Sequence, residues 1–336
     1  MRKENELLKS IQYFFQSYLP KERGLSIHTI HSYRDTLKLL LKHLSELKKC
    51  KVQAVDFDEL TAENVKSFLN SIEKNRENSV STRNQRLAVI KTFVAYLLAQ
   101  DIRRGNQLEK ISLIPMKRAP YKPVVYLTDD EMRTLLDSVD QTTPQGIRDY
   151  AILLMLYNSG ARVQEICDLK IKDVRMDSPY LVTLTGKGQK VRHVPLWAGT
   201  ITATKRYLER GSVSNPESRI FIGKRGEPLS RFAVRYLVQT YVAKAAQECK
   251  SIKEKDIGPH TLRHTTAMHL LQSGVDIAVI KEWLGHADLN TTHEYVEINM
   301  KMKEAALTKM TKPKNKTTIS SILKQEKDVF KWLESL

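Results

Sequence analysis

Leu181-Val182-Thr183-Leu184-Thr185-Gly186-Lys187-Gly188-Gln189-Lys190-Val191-Arg192-His193-Val194-Pro195-Leu196 is the stretch that separates this chain from a plain helical bundle. Leu181 to Thr185 and Val191 to Leu196 are short strand-like runs, and the glycines between them are what a tight turn needs. Nearly everything around this hairpin has helical periodicity instead. The expected fold is therefore mainly α with a small β-sheet.

Upstream of the hairpin, Thr128 is a candidate N-cap with Glu131 three residues on, which makes a capping box. A buried helix is expected from Gly146 to Asn158, broken at Gly160. Downstream, helices are expected over Ser230 to Cys249, His260 to Gln272 and Asp276 to Leu284. The first hundred residues read as four helices: Leu7 to Leu19 ending at Pro20, Ser26 to about Leu47, Leu60 to Ile72, and Val80 to Ala99. From Asp101 to Val125 the periodicity fails, and Pro115, Pro120 and Pro123 stand among Lys117, Arg118 and Lys122. Proline removes backbone donors and stops helices, so this stretch reads as a basic linker. The expected division is a helical domain over 1–104, a linker over 105–125, a mixed α/β domain over 126–312 and a tail over 313–336. In the tail, Ile319, Leu323, Phe330 and Leu333 suggest an amphipathic helix.

The chain of 336 residues is 41% hydrophobic and carries a formal net charge of +17. That charge favours a polyanionic partner, because every phosphate neutralised by Lys or Arg releases counterions. Cys50, Cys167 and Cys249 are scattered and form no CxxC pair, which argues against a disulfide framework or zinc ribbon. The start, Met1-Arg2-Lys3-Glu4-Asn5-Glu6, lacks the apolar core of a signal peptide, and no stretch is apolar enough to span a membrane. A cytoplasmic protein working near nucleic acid is expected.

Two helix starts in the first domain offer side chains suited to phosphates and base edges. One presents His28, Thr29, His31, Ser32 and Arg34; the other presents Ser81, Thr82, Arg83, Asn84 and Arg86. A merely solvated face is the competing reading. The chemistry-bearing segment is Pro259-His260-Thr261-Leu262-Arg263-His264, which opens a helix and puts His260 and Arg263 on one face. Unpaired backbone donors at a helix start favour an anion there. A guanidinium can grip phosphate oxygens while an imidazole handles a proton. His260 and His264 also have the spacing of two zinc ligands, but the intervening glutamate of HExxH is missing and Arg263 would stand beside the metal. No metal is expected. Arg162 follows the helix break at Gly160, and Glu165 three residues on could orient it. Lys187 stands between two glycines at the hairpin tip, where it can approach a nucleic-acid backbone and give a proton to a departing oxygen. His286 follows Leu284-Gly285, and Tyr295 lies nine residues further. A tyrosine has a pKa of about 10, so as a nucleophile it needs a base or strong positive charge nearby.

In their order and spacing, these segments resemble the tyrosine recombinases, or phage integrase family, and especially its Xer-like bacterial branch. The segments carrying the resemblance are Ser159 to Glu165, Thr185 to Arg192, His260 to His264, Leu284 to His286, and Tyr295. The resemblance implies a SAM-like helical core-binding domain followed by a mixed α/β catalytic domain. It implies Arg162 and Arg263 as the clamp on the scissile phosphate, Lys187 as general acid, and His260 as proton acceptor or phosphate partner. His286 matches a further hydrogen-bonding position, Glu165 a supporting acidic one, and Tyr295 the nucleophile. The implied reaction is a transesterification through a 3′-phosphotyrosine, with neither ATP nor any other cofactor required. The implied assembly is a homotetramer on paired sites in double-stranded DNA. Integration, excision, transposition and resolution of DNA dimers all remain open, and the long basic tail inclines the reading towards a mobile element. A type IB topoisomerase and a catalytically silent DNA-binding relative are the alternatives.

Overall fold

The structure, a computed structural model, describes residues 5–285 apart from 76, 121–122 and 212–214, with no description of the side chains of Ile102 and Lys187. The chain divides into two compact units, Met1–Lys122 and Pro123–Leu336.

Helices make up the first unit's regular structure among the described residues: α1 (Glu6–Tyr13), α2 (Ile27–Lys48), α3 (Ala62–Asn75), α4 (Val80–Gln100) and α5 (Gly105–Ser112), joined by short 3₁₀ and π turns. Ser26 caps α2 by accepting the Thr29 N–H, and Ser79 caps α4 by accepting that of Thr82, so orphan donors at both starts find partners. Phe14, Leu40, Leu44, Phe68, Leu87 and Phe93 are fully buried in a common core.

Two expectations are corrected here. Pro20 does not end the first helix: a π-helical stretch, Phe14–Glu22, continues α1 through it. In an α-helix the proline ring would collide with the carbonyl four residues back. The wider π turn bonds to the fifth residue back, as the Arg23 N–H does to Tyr18 O at 2.9 Å. Within the stretch read as linker, α5 is helical, and Leu108, Ile111 and Ile114 are buried in the first unit's core. Leu108 and Ile111 keep helical spacing, and the prolines of this stretch all lie beyond Ser112.

The second unit contains α6 (Asp129–Asp137), α7 (Pro144–Ser159), α8 (Val163–Asp168), β1 (Val174–Arg175), β2 (Leu181–Thr185), β3 (Val191–Pro195), α9 (Ala198–Arg210), α10 (Arg231–Glu248), α11 (Lys250–Lys253), α12 (Pro259–Gln272) and α13 (Ile277–Leu284). The hairpin forms as expected, with Leu181 opposite Pro195 and Thr185 opposite Val191. A third strand, β1, pairs antiparallel with β2, and its two residues were too short a run to register in the sequence. Val182, Leu184 and Val194 face inward into the core they share with α7, whose Ala151 to Leu156 are all buried. Gly160 ends α7 with φ +59°, and a Cβ there would stand 2.5 Å from Leu284 Cδ2. The left-handed conformation requires glycine, and the Leu284 side chain packs close against it.

The capping box at Thr128 does more than start α6. Glu131 accepts the Thr128 N–H at 2.8 Å, the Ser251 hydroxyl at 2.5 Å and the Lys255 ammonium at 2.5 Å, which ties α6 to α11. Burial alone would push the Glu131 carboxyl up, but Lys255, Ser251 and the Thr128 N–H hold it below the usual carboxylate range. A carboxyl depressed in the folded state stabilises above its unfolded pKa and loses that contribution as pH falls through the folded value. Glu131→Gln should therefore cost about 2 kcal/mol at neutral pH. The deficit should narrow only below pH 4.5, as the wild-type carboxyl takes up its proton. Thermal melts of both proteins across pH 3–7 check this; a deficit independent of pH would refute it.

Candidate active site

The last carbonyls of a helix have no intrahelical donor and carry the negative end of its dipole. At the C-terminal end of α13, three arginines from three different elements meet three successive carbonyls. Arg192 Nε donates to Trp283 O at 2.9 Å, Arg263 Nη2 to Leu284 O at 2.5 Å, and Arg162 Nη2 to Gly285 O at 3.1 Å. Arg263 also donates through Nη1 to Gly160 O at 2.6 Å, so α12 grips the ends of both α7 and α13. The two arginines expected to clamp a phosphate are thus brought to one place by the fold.

Glu165 holds the group together. It is buried on α8 and accepts the Arg162 backbone N–H at 2.8 Å and Arg162 Nη1 at 3.1 Å. Arg192 reaches it from β3 with both terminal nitrogens, at 3.0 and 2.7 Å. Burial would raise the Glu165 pKa; Arg192 first and then Arg162 bring it below the ordinary value. Glu165 is therefore a carboxylate at neutral pH, and it offsets part of the positive charge gathered here.

The hairpin tip closes on this pair. Gly186 donates its N–H to Lys190 O at 2.8 Å, and Gly188 turns the chain with φ +74°. Gly186 serves a different purpose: a Cβ there would lie 3.1 Å from Glu165 Oε1 and 3.6 Å from Arg162 Nη1. The backbone of the turn thus rests against the Arg162–Glu165 pair one residue before Lys187, whose side chain lies outside the description. A cavity of about 560 Å³ opens beside it, lined by Arg162, Gly186, Lys190, Arg192, His193 and Lys281 among others.

His260 and His264 occupy the first two turns of α12. Partial burial, then Arg263 and Arg162, lower the His260 pKa below the ordinary imidazole value. Burial, then His260 and Arg263, push that of His264 down to about 4. Both rings are therefore neutral at pH 7, and a neutral imidazole can accept a proton. The electrostatic reach of Arg162 and Arg263 to His260 places all three in one neighbourhood. His286 and Tyr295 lie outside the described residues.

Arg192 closes the Thr185 to Arg192 segment, and the family resemblance implies no role for it. Its signal was positional: on β3 it shares the inward face with Val194, opposite inward-facing Leu184. An arginine at an inward strand position needs a buried acid. In the first unit, His28, His31 and Arg34 are exposed on α2 and Thr29 is partly so. Arg83 departs from its expected place on the DNA-facing surface. It is 5% exposed and donates to Pro115 O at 3.3 Å and to Asn84 Oδ1 at 3.1 Å. Asn84 in turn holds Lys117 by both backbone groups, so the start of α4 anchors the segment after α5. The apolar side of α4 is wide enough to draw Arg83 inward. Arg86, one turn on, is half-buried.

NMR titration of the imidazoles should give His264 a midpoint near 4 and His260 one below 6.5. Arg162→Ala removes one of the charges opposing protonation, so the His260 midpoint should rise. An unchanged His260 midpoint in that variant would separate the two residues.

Residues 125–302 match the phage integrase family, and residues 13–101 match the N-terminal SAM-like domain of phage integrases. Tyrosine recombinase XerC of Staphylococcus epidermidis is 31% identical over 294 residues, 87% of this chain and 94% of its own. The protein y4rC of Sinorhizobium fredii, named as an inferred integrase/recombinase, is 34% identical over 336 residues, the whole of both chains. The chain belongs to the phage integrase family, the tyrosine recombinases. Among solved structures, the Tn1549 transposon integrase in complex with transposon right-end DNA shares the fold with a TM-score of 0.68 at 18% identity, covering 88% of this chain and 97% of that one. XerH site-specific recombinase in its post-cleavage complex with difH substrate gives 0.67 at 22% identity, over 92% and 90%.

Proposed function

We propose that this chain breaks and rejoins DNA strands at specific sites by transesterification, with Tyr295 as the nucleophile. The observation that carries the reading is the convergence of Arg162 and Arg263, with Glu165 beneath them and His260 alongside. Two guanidiniums fixed by backbone carbonyls and a buried carboxylate are preorganised donors. They can meet charge that builds on a phosphate in the transition state, where such donors are most effective. The Tyr295 oxygen attacks phosphorus, the 5′-oxygen leaves, and a 3′-phosphotyrosine forms. Neutral His260 takes up a proton in the step, Lys187 delivers one to the departing 5′-oxygen, and His286 adds a hydrogen bond to the phosphate. A 5′-hydroxyl from the partner duplex then attacks the phosphotyrosine and reseals the strand. The linkage conserves bond energy, so no cofactor is consumed.

Double-stranded DNA is the partner in this reading, gripped by the exposed His28, His31 and Arg34 of α2, with Thr29 and Arg86, and in the catalytic domain by the arginine cluster. The charge of +17 supports it. The acting form is a homotetramer on two paired sites in the cytoplasm, which integrates, excises or transposes a mobile element or resolves DNA dimers. The apolar spacing of Ile319, Leu323, Phe330 and Leu333 supports a tail that docks on a neighbouring protomer and couples the active sites.

Incubation with nicked duplexes from the protein's own genomic neighbourhood should give a covalent adduct on a denaturing gel. Tyr295→Phe should give none. Arg162→Ala and Arg263→Ala should each slow adduct formation by about a hundredfold to a thousandfold. An adduct from Tyr295→Phe would remove the nucleophile assignment. Deleting residues 313–336 should leave cleavage intact and abolish synapsis of two duplexes; unchanged synapsis and strand exchange would refute the coupling.

A further inference from the structure

Arg192 has no part in the chemistry above, yet its side chain is buried and all three guanidinium nitrogens are bonded: two to Glu165 and Nε to Trp283 O. A buried ion pair is a weak device for stability. Its replacement by well-packed apolar side chains is often neutral or stabilising. Geometry accounts for the buried Arg192. Glu165 Oε1 accepts Arg192 Nη1 at 3.0 Å and Arg162 Nη1 at 3.1 Å, so the direction of the Arg162 guanidinium is set from β3 through one shared oxygen. Gly285 leaves room for the Arg192 side chain: a Cβ there would lie 3.1 Å from Arg192 Cδ and 3.2 Å from its Nη1.

We propose that Arg192 is a positioning residue for strand cleavage: it orients Arg162 through Glu165 and fixes the end of α13 through the Trp283 carbonyl. The proposal rests on the reading of Arg162 as a phosphate clamp. Arg192 joins the two parts of the site that must keep register, the hairpin turn that carries Lys187 and the helix end that leads into residue 286. Its three guanidinium nitrogens are all engaged by Glu165 and the Trp283 carbonyl. Its loss should therefore appear in the rate of the chemical step and leave DNA affinity unchanged.

The test uses the full-length protein and nicked duplexes from its own genomic neighbourhood, with affinity read by gel shift and single-turnover adduct formation read on a denaturing gel. Arg192→Lys keeps the charge against Glu165 and loses the fork. It should bind as tightly as wild type and form adduct about a hundredfold more slowly, the cost of a small misplacement of a reacting partner. The double variant Arg192→Gln with Glu165→Gln removes both members of the buried pair and leaves only the partly exposed Arg162 without its carboxylate, so its melting temperature should fall little and it should remain slow. Wild-type adduct rates in either variant refute the proposal. So does an equal fall in affinity and rate, which marks a role in folding alone. If the wild-type chain forms no adduct, or Arg162→Ala reacts at full rate, the clamp reading fails and this proposal falls with it. A wild-type adduct with full-rate Arg192 variants refutes this proposal alone.

Discussion

The second unit is organised around the meeting of three guanidiniums with the carbonyl end of α13. Each arginine comes from a different element: Arg162 from the cap of α8, Arg192 from β3 and Arg263 from α12. Like charges so close would repel, and two things offset that repulsion. The helix end supplies a partial negative charge and acceptors in fixed positions. Glu165 supplies a full negative charge that two of the arginines share. The cluster stays net positive, which is what an incoming phosphate requires.

This arrangement explains why so small a sheet is kept in a helical chain. The hairpin brings Arg192 inward at one residue of β3 and delivers its turn against Arg162 and Glu165. Arg192 stands between the inward-facing Val194 and its cross-strand partner Leu184, and the sheet thereby serves the site as much as the core.

Much of this was legible in the sequence. The helices around the hairpin, the cap at Thr128 and the break at Gly160 follow from local rules, and the structure has them within a residue or two. Arg162, Glu165 and Arg263 were picked out singly by their places after breaks and at helix starts. What escaped were features decided by packing. Pro20 sits inside a helix because a π turn widens around it. Arg83 turns inward to bind Pro115 O, although its neighbours are polar. Arg192 takes its meaning from Glu165, which lies 27 positions earlier, and no local pattern links the two.

Gly160 gives the architecture a genetic consequence. Its codon is GGN, and apart from silent changes and a stop, every single-nucleotide change places a residue with a Cβ at that position. That carbon would enter the space of Leu284 Cδ2, the last residue of α13. The new residue would also be held at a left-handed φ that only glycine adopts freely, at the turn that leads into Arg162. A missense allele at a residue with no side chain and no chemistry would then strain the backbone that presents the first arginine of the cluster.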